Sequence, residues 1–179
     1  MILGPQKLLE LVREIKLVDN LSERELTNPE GAGFDLRLGE VYKISGTAFL
    51  GETERHTAEI ELLQEYKEGE KRSVTLKPGD FVLVKTIETV NMSKDLTANM
   101  KPRSTTFRSG LFVRTGNIAP GYSGGLTFGI KNEGPIEVTI EMGARIIHIQ
   151  FEEVLGEGAA YRGQWQGGRI TTTKKEVQV

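Results

Sequence analysis

The sequence predicts a mostly-β fold, a sandwich or distorted barrel with a single helix near its start. Three observations carry this. Short runs rich in Val, Ile, Thr and Phe recur along the chain, punctuated by turn signals such as Lys77-Pro78-Gly79-Asp80 and Glu141-Met142-Gly143. Only Pro5 to Leu17 carries a helical period. A length of 179 residues is enough for one domain with its own core. The expected organisation is one domain over 1–179, with an N-terminal helix and loop (1–30), a β core (31–155) and a C-terminal arm (156–179).

Pro5 suits a first helical turn, and Leu8, Leu9, Leu11, Val12 and Ile15 gather on one face that should cover a sheet. Asp19 to Glu30 reads as loop, given Asn20, Ser22, Asn28 and Pro29. Between Gly31 and Gly39, Phe34, Leu36 and Leu38 alternate with Asp35 and Arg37, the pattern of a half-buried strand. Val41 to Arg72 is charged and weakly periodic, an exposed hairpin excursion in which Glu59 to Tyr66 fits a strand or a helical turn equally. Ser73 to Leu76 begins a strand and Phe81 to Val90 is a clear one, followed by a polar connection from Asn91 to Asn99. Ile136 to Ile140 and Ala144 to Val154 are further strands. From Gly156 onward the chain is glycine-rich and loses apolar periodicity, as a mobile arm would.

Composition narrows the chemistry. Without cysteine there is no disulfide, no thiolate nucleophile and no thiolate zinc ligand, and two histidines, His56 and His148, are a poor basis for a zinc site. A net charge of -2 and a pI near 5.8 argue against a nucleic-acid-binding surface. The opening MILGPQKLLELV has no secretory h-region, and no stretch is long and apolar enough to span a bilayer, so no membrane association and a cytoplasmic location are the expectation.

The densest chemistry lies between Lys101 and Asn132. Arg103, Ser104, Thr105, Thr106 and Arg108 place two guanidinium groups and three hydroxyls in six positions, and the turn Ala119 to Gly124 follows inside strand-like sequence. Such donors beside a tight hairpin match a phosphate-bearing ligand. A polar loop followed by an ordinary hairpin fits the local sequence at least as well.

The wider chain tips the balance. AGFDLRLGE, KPRSTTFRSGL, NIAPGYSGGLTFGIKN, MGARIIHIQF and AYRGQWQGGRI, in that order, resemble the motifs of the dUTPase and dCTP deaminase superfamily, the last resembling the closing arm of archaeal dUTPase-like members. The resemblance implies a distorted jelly roll, a homotrimer with active sites at subunit interfaces, and Mg²⁺ carried mainly on the triphosphate, without zinc. It implies a deoxyribonucleoside triphosphate ligand, dUTP or dCTP. Its phosphate and nucleotide contacts fall on Arg103, Ser104, Thr105, Thr106, Arg108, Ala119, Tyr122, Thr127, His148, Tyr161 and Gln164, and Asp35 becomes a water-mediated link to the metal. Asp35 as a salt bridge to Arg37 or a turn cap, and His148 as a core or interface residue, are the competing readings.

The two acids of the superfamily are absent. The hairpin Asp of dUTPases aligns with Ala119 and the Glu of the zinc-free deaminases with Gly129, and neither replacement can accept a proton. Losing a general base costs ~10²–10⁴-fold in rate. Three functions follow: dUTP hydrolysis to dUMP and pyrophosphate, zinc-free dCTP deamination, or deoxynucleotide binding without turnover. The first is favoured, because phosphoanhydride cleavage draws heavily on positioning and charge neutralisation.

Overall fold

The computed structural model describes residues 1–156, 158–172 and 174–177. Pro5 occupies the first turn of α1 (Pro5–Ile15), which ends at Lys16 in the left-handed conformation. Leu8 is its one fully buried residue, while Ile15, placed by periodicity on the apolar face, is exposed. β1 (Val18–Asp19) leads to α2 (Glu23–Thr27), so the segment read as loop contains a helical turn, and its Glu25 is completely buried.

β2 (Phe34–Ser45) is longer than the alternating pattern predicted and is buried on both faces at its start, where Phe34, Asp35 and Leu36 are all inaccessible. The hairpin excursion is present as the end of β2 with β3 (Phe49–Leu50), β4 (Glu54–His56) and β5 (Glu59–Glu65), which settles the ambiguous segment as strand. β6 (Ser73–Leu76), β7 (Phe81–Asn91) and β8 (Leu96–Pro102) follow. β8 was missed because its outer face carries Thr97, Asn99 and Lys101, which read as a polar connection.

α3 (Ser104–Arg108) then forms a helical turn where the resemblance alone gave no conformation. β9 (Leu111–Arg114), β10 (Asn117–Ile118), β11 (Ser123–Asn132), β12 (Val138–Glu141), β13 (Arg145–Glu153) and β14 (Glu176–Val177) complete the chain. The fold is therefore mostly β, as predicted, but the described residues carry three helical segments instead of one.

Nine strands form one curled antiparallel sheet, in the order β10-β8-β13-β2-β7-β11-β9 with β1 added to β7 and β5 to β2. β2 is the shared strand. Its first residues pair with β13 and its later ones with β7 and β5, and the ladder shifts between Leu38 and Glu40. A Cβ on Gly39 would lie 2.8 Å from the Ile87 backbone nitrogen, so the sheet curls where only glycine lets two backbones touch. Phe34, Leu36, Leu38, Ile147, Ile149 and Phe151 fill the core beneath, with Phe34 and Phe151 edge to face.

The turn Ala119 to Gly124 is not a hairpin. β10 before it pairs with β8, whereas β11 after it pairs with β7 and β9. The chain arches from one edge of the curled sheet to the far half, which opens a space beneath the turn that a two-residue hairpin would have closed.

The described part of the C-terminal arm is docked, contrary to the mobile arm predicted. Tyr161 N donates to Pro120 O at 2.7 Å and Gly167 N to Ser123 O at 2.7 Å, while β14 pairs with β4. The glycines that suggested mobility are what permit docking. A Cβ on Gly124, itself at φ +143°, would lie 2.2 Å from Gly168 N, and one on Gly168 would lie 2.7 Å from Gly125 N. Gly124→Ala is therefore expected to lift the arm while sparing the core. Limited proteolysis should then cut the arm of the variant faster, with the thermal midpoint of the remaining domain little changed.

Candidate functional site

Beneath the arch lies a cavity of about 390 Å³. Ile118, Ala119, Tyr122 and Thr127 line it from the arch and β11, Leu83 and Met100 from β7 and β8, and Tyr161, Trp165, Arg169 and Ile170 from the arm. Tyr122 is held by two contacts: its hydroxyl donates to Gly125 O at 2.7 Å, and its ring meets Tyr161 edge to face. Burial pushes the Tyr122 phenol up to about 12, with Tyr161 adding to the shift, so it stays neutral and acts as a donor. Thr127 Oγ1 is buried and has no hydrogen-bond partner among the described residues. A buried polar atom left unpaired costs about 1–3 kcal/mol, which marks this hydroxyl as awaiting a ligand.

The lining contains no Asp, Glu or His among the described residues. Its one charged side chain, Arg169, is committed elsewhere: Nε donates to Thr171 O at 3.0 Å and Nη1 to Glu176 at 3.0 Å. Ala119 lies on the cavity wall. Gly129 does not, because a side chain there would point at the Phe81 ring, whose Cε2 and Cζ lie 2.9 Å from the site of its Cβ.

A second cluster surrounds Asp35, carried by β2 opposite His148 of β13. Its carboxylate meets Arg103 Nε at 3.1 Å, Arg145 Nη1 at 3.1 Å and His148 Nδ1 at 3.0 Å. The neighbouring Glu25 accepts the Asp35 amide at 3.0 Å and pairs with Arg24. Burial alone would raise the Asp35 pKa, but the His148 hydrogen bond and the charges of Arg103, His148 and Arg145 outweigh it and hold the carboxyl below its ordinary range. Anchored through Nε, Arg103 keeps both terminal nitrogens without a partner among the described residues, aimed from the start of α3. Arg108, Ser104 and Thr105 are exposed on the same turn.

The predicted site residues thus fall into separate groups. Ala119, Tyr122, Thr127 and Tyr161 share the cavity; Arg103, Ser104, Thr105 and Arg108 form an exposed basic turn outside its lining. Thr106 is a structural residue, buried with its hydroxyl donating to Ile146 O at 2.9 Å. Gln164 binds Arg55 and Glu176 rather than facing the cavity. His148 is engaged with Asp35, and Arg37, the anticipated partner of Asp35, instead pairs with the buried Glu88 at 2.7 Å. Asp35 is engaged on both oxygens, Oδ2 by Arg103 and Arg145 and Oδ1 by His148, and no group of three His, Asp or Glu suited to a metal occurs among the described residues. Sequence reasoning missed Glu25, Arg24 and the wall residues Leu83, Met100, Arg169 and Ile170. Only Arg169, basic within a glycine-rich closing segment, carried a signal.

Fold and cavity together define a curled-sheet protein that encloses a small, largely apolar cavity under a C-terminal strap. The chain belongs to the dCTP deaminase-like family, whose model matches residues 2–154. A dUMP-forming dCTP deaminase of Dictyoglomus thermophilum is 33% identical over 156 residues, covering 84% of this chain and 79% of that protein. A probable deoxyuridine 5'-triphosphate nucleotidohydrolase of Methanothermobacter thermautotrophicus is 31% identical over 166 residues, covering 93% of this chain and 99% of that protein. The fold matches the 2'-deoxycytidine 5'-triphosphate deaminase of Agrobacterium tumefaciens with a TM-score of 0.65 at 20% identity, over 84% of this chain but 46% of that one. Family members are enzymes of deoxynucleotide metabolism, named as dCTP deaminases, some of them dUMP-forming, and as a probable deoxyuridine 5'-triphosphate nucleotidohydrolase.

Because Asp35 titrates below its unfolded range, its stabilisation is complete above the ordinary carboxylate pKa and is lost as pH falls through the lowered value. Asp35→Asn strands Arg103 and Arg145 and should cost about 3–5 kcal/mol. Denaturant midpoints between pH 7 and pH 3 should fall in the parent chain and fall less steeply in the variant.

Proposed function

We propose that this chain binds a pyrimidine deoxyribonucleoside triphosphate, with base and sugar in the cavity between Ala119, Tyr122, Thr127 and the arm. The observation that carries this reading is the unpaired Thr127 hydroxyl on a largely apolar wall, since a nucleobase edge supplies the missing partner. The phosphates would meet Arg103, Ser104 and Arg108. These lie outside the cavity lining of their own chain, an arrangement that suits a homotrimer in which one subunit's basic turn serves its neighbour's cavity. Mg²⁺ would arrive bound to the phosphates.

Of the family's two reactions, dUTP hydrolysis to dUMP and pyrophosphate is the better supported. Deamination exchanges protons at the base ring, and no acid or imidazole stands on this cavity's wall among the described residues. Hydrolysis at the phosphates depends more on orientation and on the guanidinium groups. The same bare wall favours a second reading, retention of the nucleotide without turnover, for a regulatory or sequestering role.

Pyrophosphate release from dUTP with Mg²⁺, uracil nucleotide formation from dCTP, and calorimetric binding of dUTP separate these readings. Release from dUTP above background supports hydrolysis. Binding without product supports the second reading, and uracil nucleotide formed from dCTP overturns the preference for hydrolysis. Thr127→Val should weaken dUTP binding by roughly 5–10-fold, the loss of one buried hydrogen bond. Ala119→Asp, which returns a carboxylate to the cavity wall, should raise any dUTP hydrolysis by ~10²-fold.

A further inference from the structure

A second, smaller cavity of about 270 Å³ lies between the β3–β4 excursion and the end of the arm. Its lining includes Thr47, His56, Thr172, Lys174 and Lys175, with Glu59 as the one acid. His56 Nδ1 is buried without a hydrogen-bond partner among the described residues, an unusual state for an imidazole nitrogen beside a polar space. The ring is held in place by stacking on Phe49, at 6.2 Å between centroids. Lys175 lies over the other ring of that stack, 5.2 Å from the Phe49 centroid, and only 3.8 Å from Glu54. Lys174 has no ion pair among the described residues. Thr172 Oγ1 accepts from Thr57 N at 2.9 Å and lies 3.5 Å from Thr57 Oγ1. Two lysines, an unpartnered imidazole nitrogen and threonine hydroxyls thus line one space whose lining holds a single carboxylate, Glu59.

We infer that this cavity is a binding site for a phosphate-type oxyanion, distinct from the Arg103–Arg108 turn. Several donors on different sides suit a tetrahedral group with oxygens in every direction better than a planar carboxylate. The space is large enough for a diphosphate. Thr57 lines this cavity and the apolar one alike, so an anion held here braces the wall between them. Occupation would also tie β4 to the arm through Lys174 and Lys175, alongside the existing pairing of β14 with β4.

The chain's two histidines make the test direct, because His56 reports this cavity and His148 reports the Asp35–Arg103 cluster. Inorganic pyrophosphate is titrated into the full chain while the two imidazole ring signals are followed by proton NMR. The expected result is a saturating shift of His56, weakened at least 10-fold in apparent affinity by Lys174→Ala with Lys175→Ala and retained in Arg108→Ala. His56→Phe, which keeps the stack on Phe49, should weaken calorimetric binding of pyrophosphate as well. A shift of His148 alone, or an affinity lost in Arg108→Ala and untouched by the lysine pair, would overturn the inference while leaving the nucleotide reading intact. Pyrophosphate carries no base, so failure of dUTP to enter the apolar cavity bears only on the earlier proposal.

Discussion

Two carboxylates buried side by side dictate much of this structure. Asp35 and Glu25 are almost wholly withdrawn from water, and an isolated buried carboxylate costs several kcal/mol unless cations surround it. Arg24, Arg103 and Arg145 supply that charge from α2, the start of α3 and β13, so the cluster pins three elements to β2. The tie has a chemical by-product. Arg103 cannot swing freely, because its Nε is already bound, and its remaining donors are fixed in direction before any ligand arrives. Pre-oriented donors lose less entropy on binding than mobile ones. A carboxylate expected to assist a metal thus holds, from behind, the guanidinium that we propose meets the phosphates.

The cavity follows a different logic. Its walls are largely apolar, the Tyr122 hydroxyl already donates to Gly125 O, the Tyr161 hydroxyl already accepts from Trp165 N, and its one guanidinium is held by the arm. Such a space discriminates by shape and by one or two hydrogen bonds rather than by charge. The two positions to which the resemblance assigns an acid differ in room. Ala119 lies on the cavity wall, whereas a side chain at Gly129 would meet the Phe81 ring, so an acid there requires moving an aromatic ring.

Much of this was legible in the sequence. The β class, the excursion and the strand predicted over Phe81 to Val90 follow from alternation and turn chemistry, which are local properties. What escaped is non-local. α2 and α3 are single turns held by tertiary contacts, Thr106 through Ile146 O and Glu25 through the Asp35 amide, with too few residues to establish a period. The arch looked like a hairpin because a tight turn has the same residues whichever strands its ends join. Glycines in the arm read as mobility, although Gly168, with Gly124 of the arch, lets backbone touch backbone. The basic turn and the arch were found together in sequence, yet the fold sets them apart, and no spacing rule reveals that separation.

The docked arm links two equilibria. Tyr161, Trp165, Arg169 and Ile170 are at once parts of the strap and parts of the cavity wall. A molecule that touches them binds more tightly to the closed form, and by reciprocity it stabilises closure by the same factor. The pairing of Arg169 with Glu176 and the strand contact of β14 with β4 therefore enter the affinity of any ligand held under the arm, although Glu176 and β14 lie outside the cavity lining.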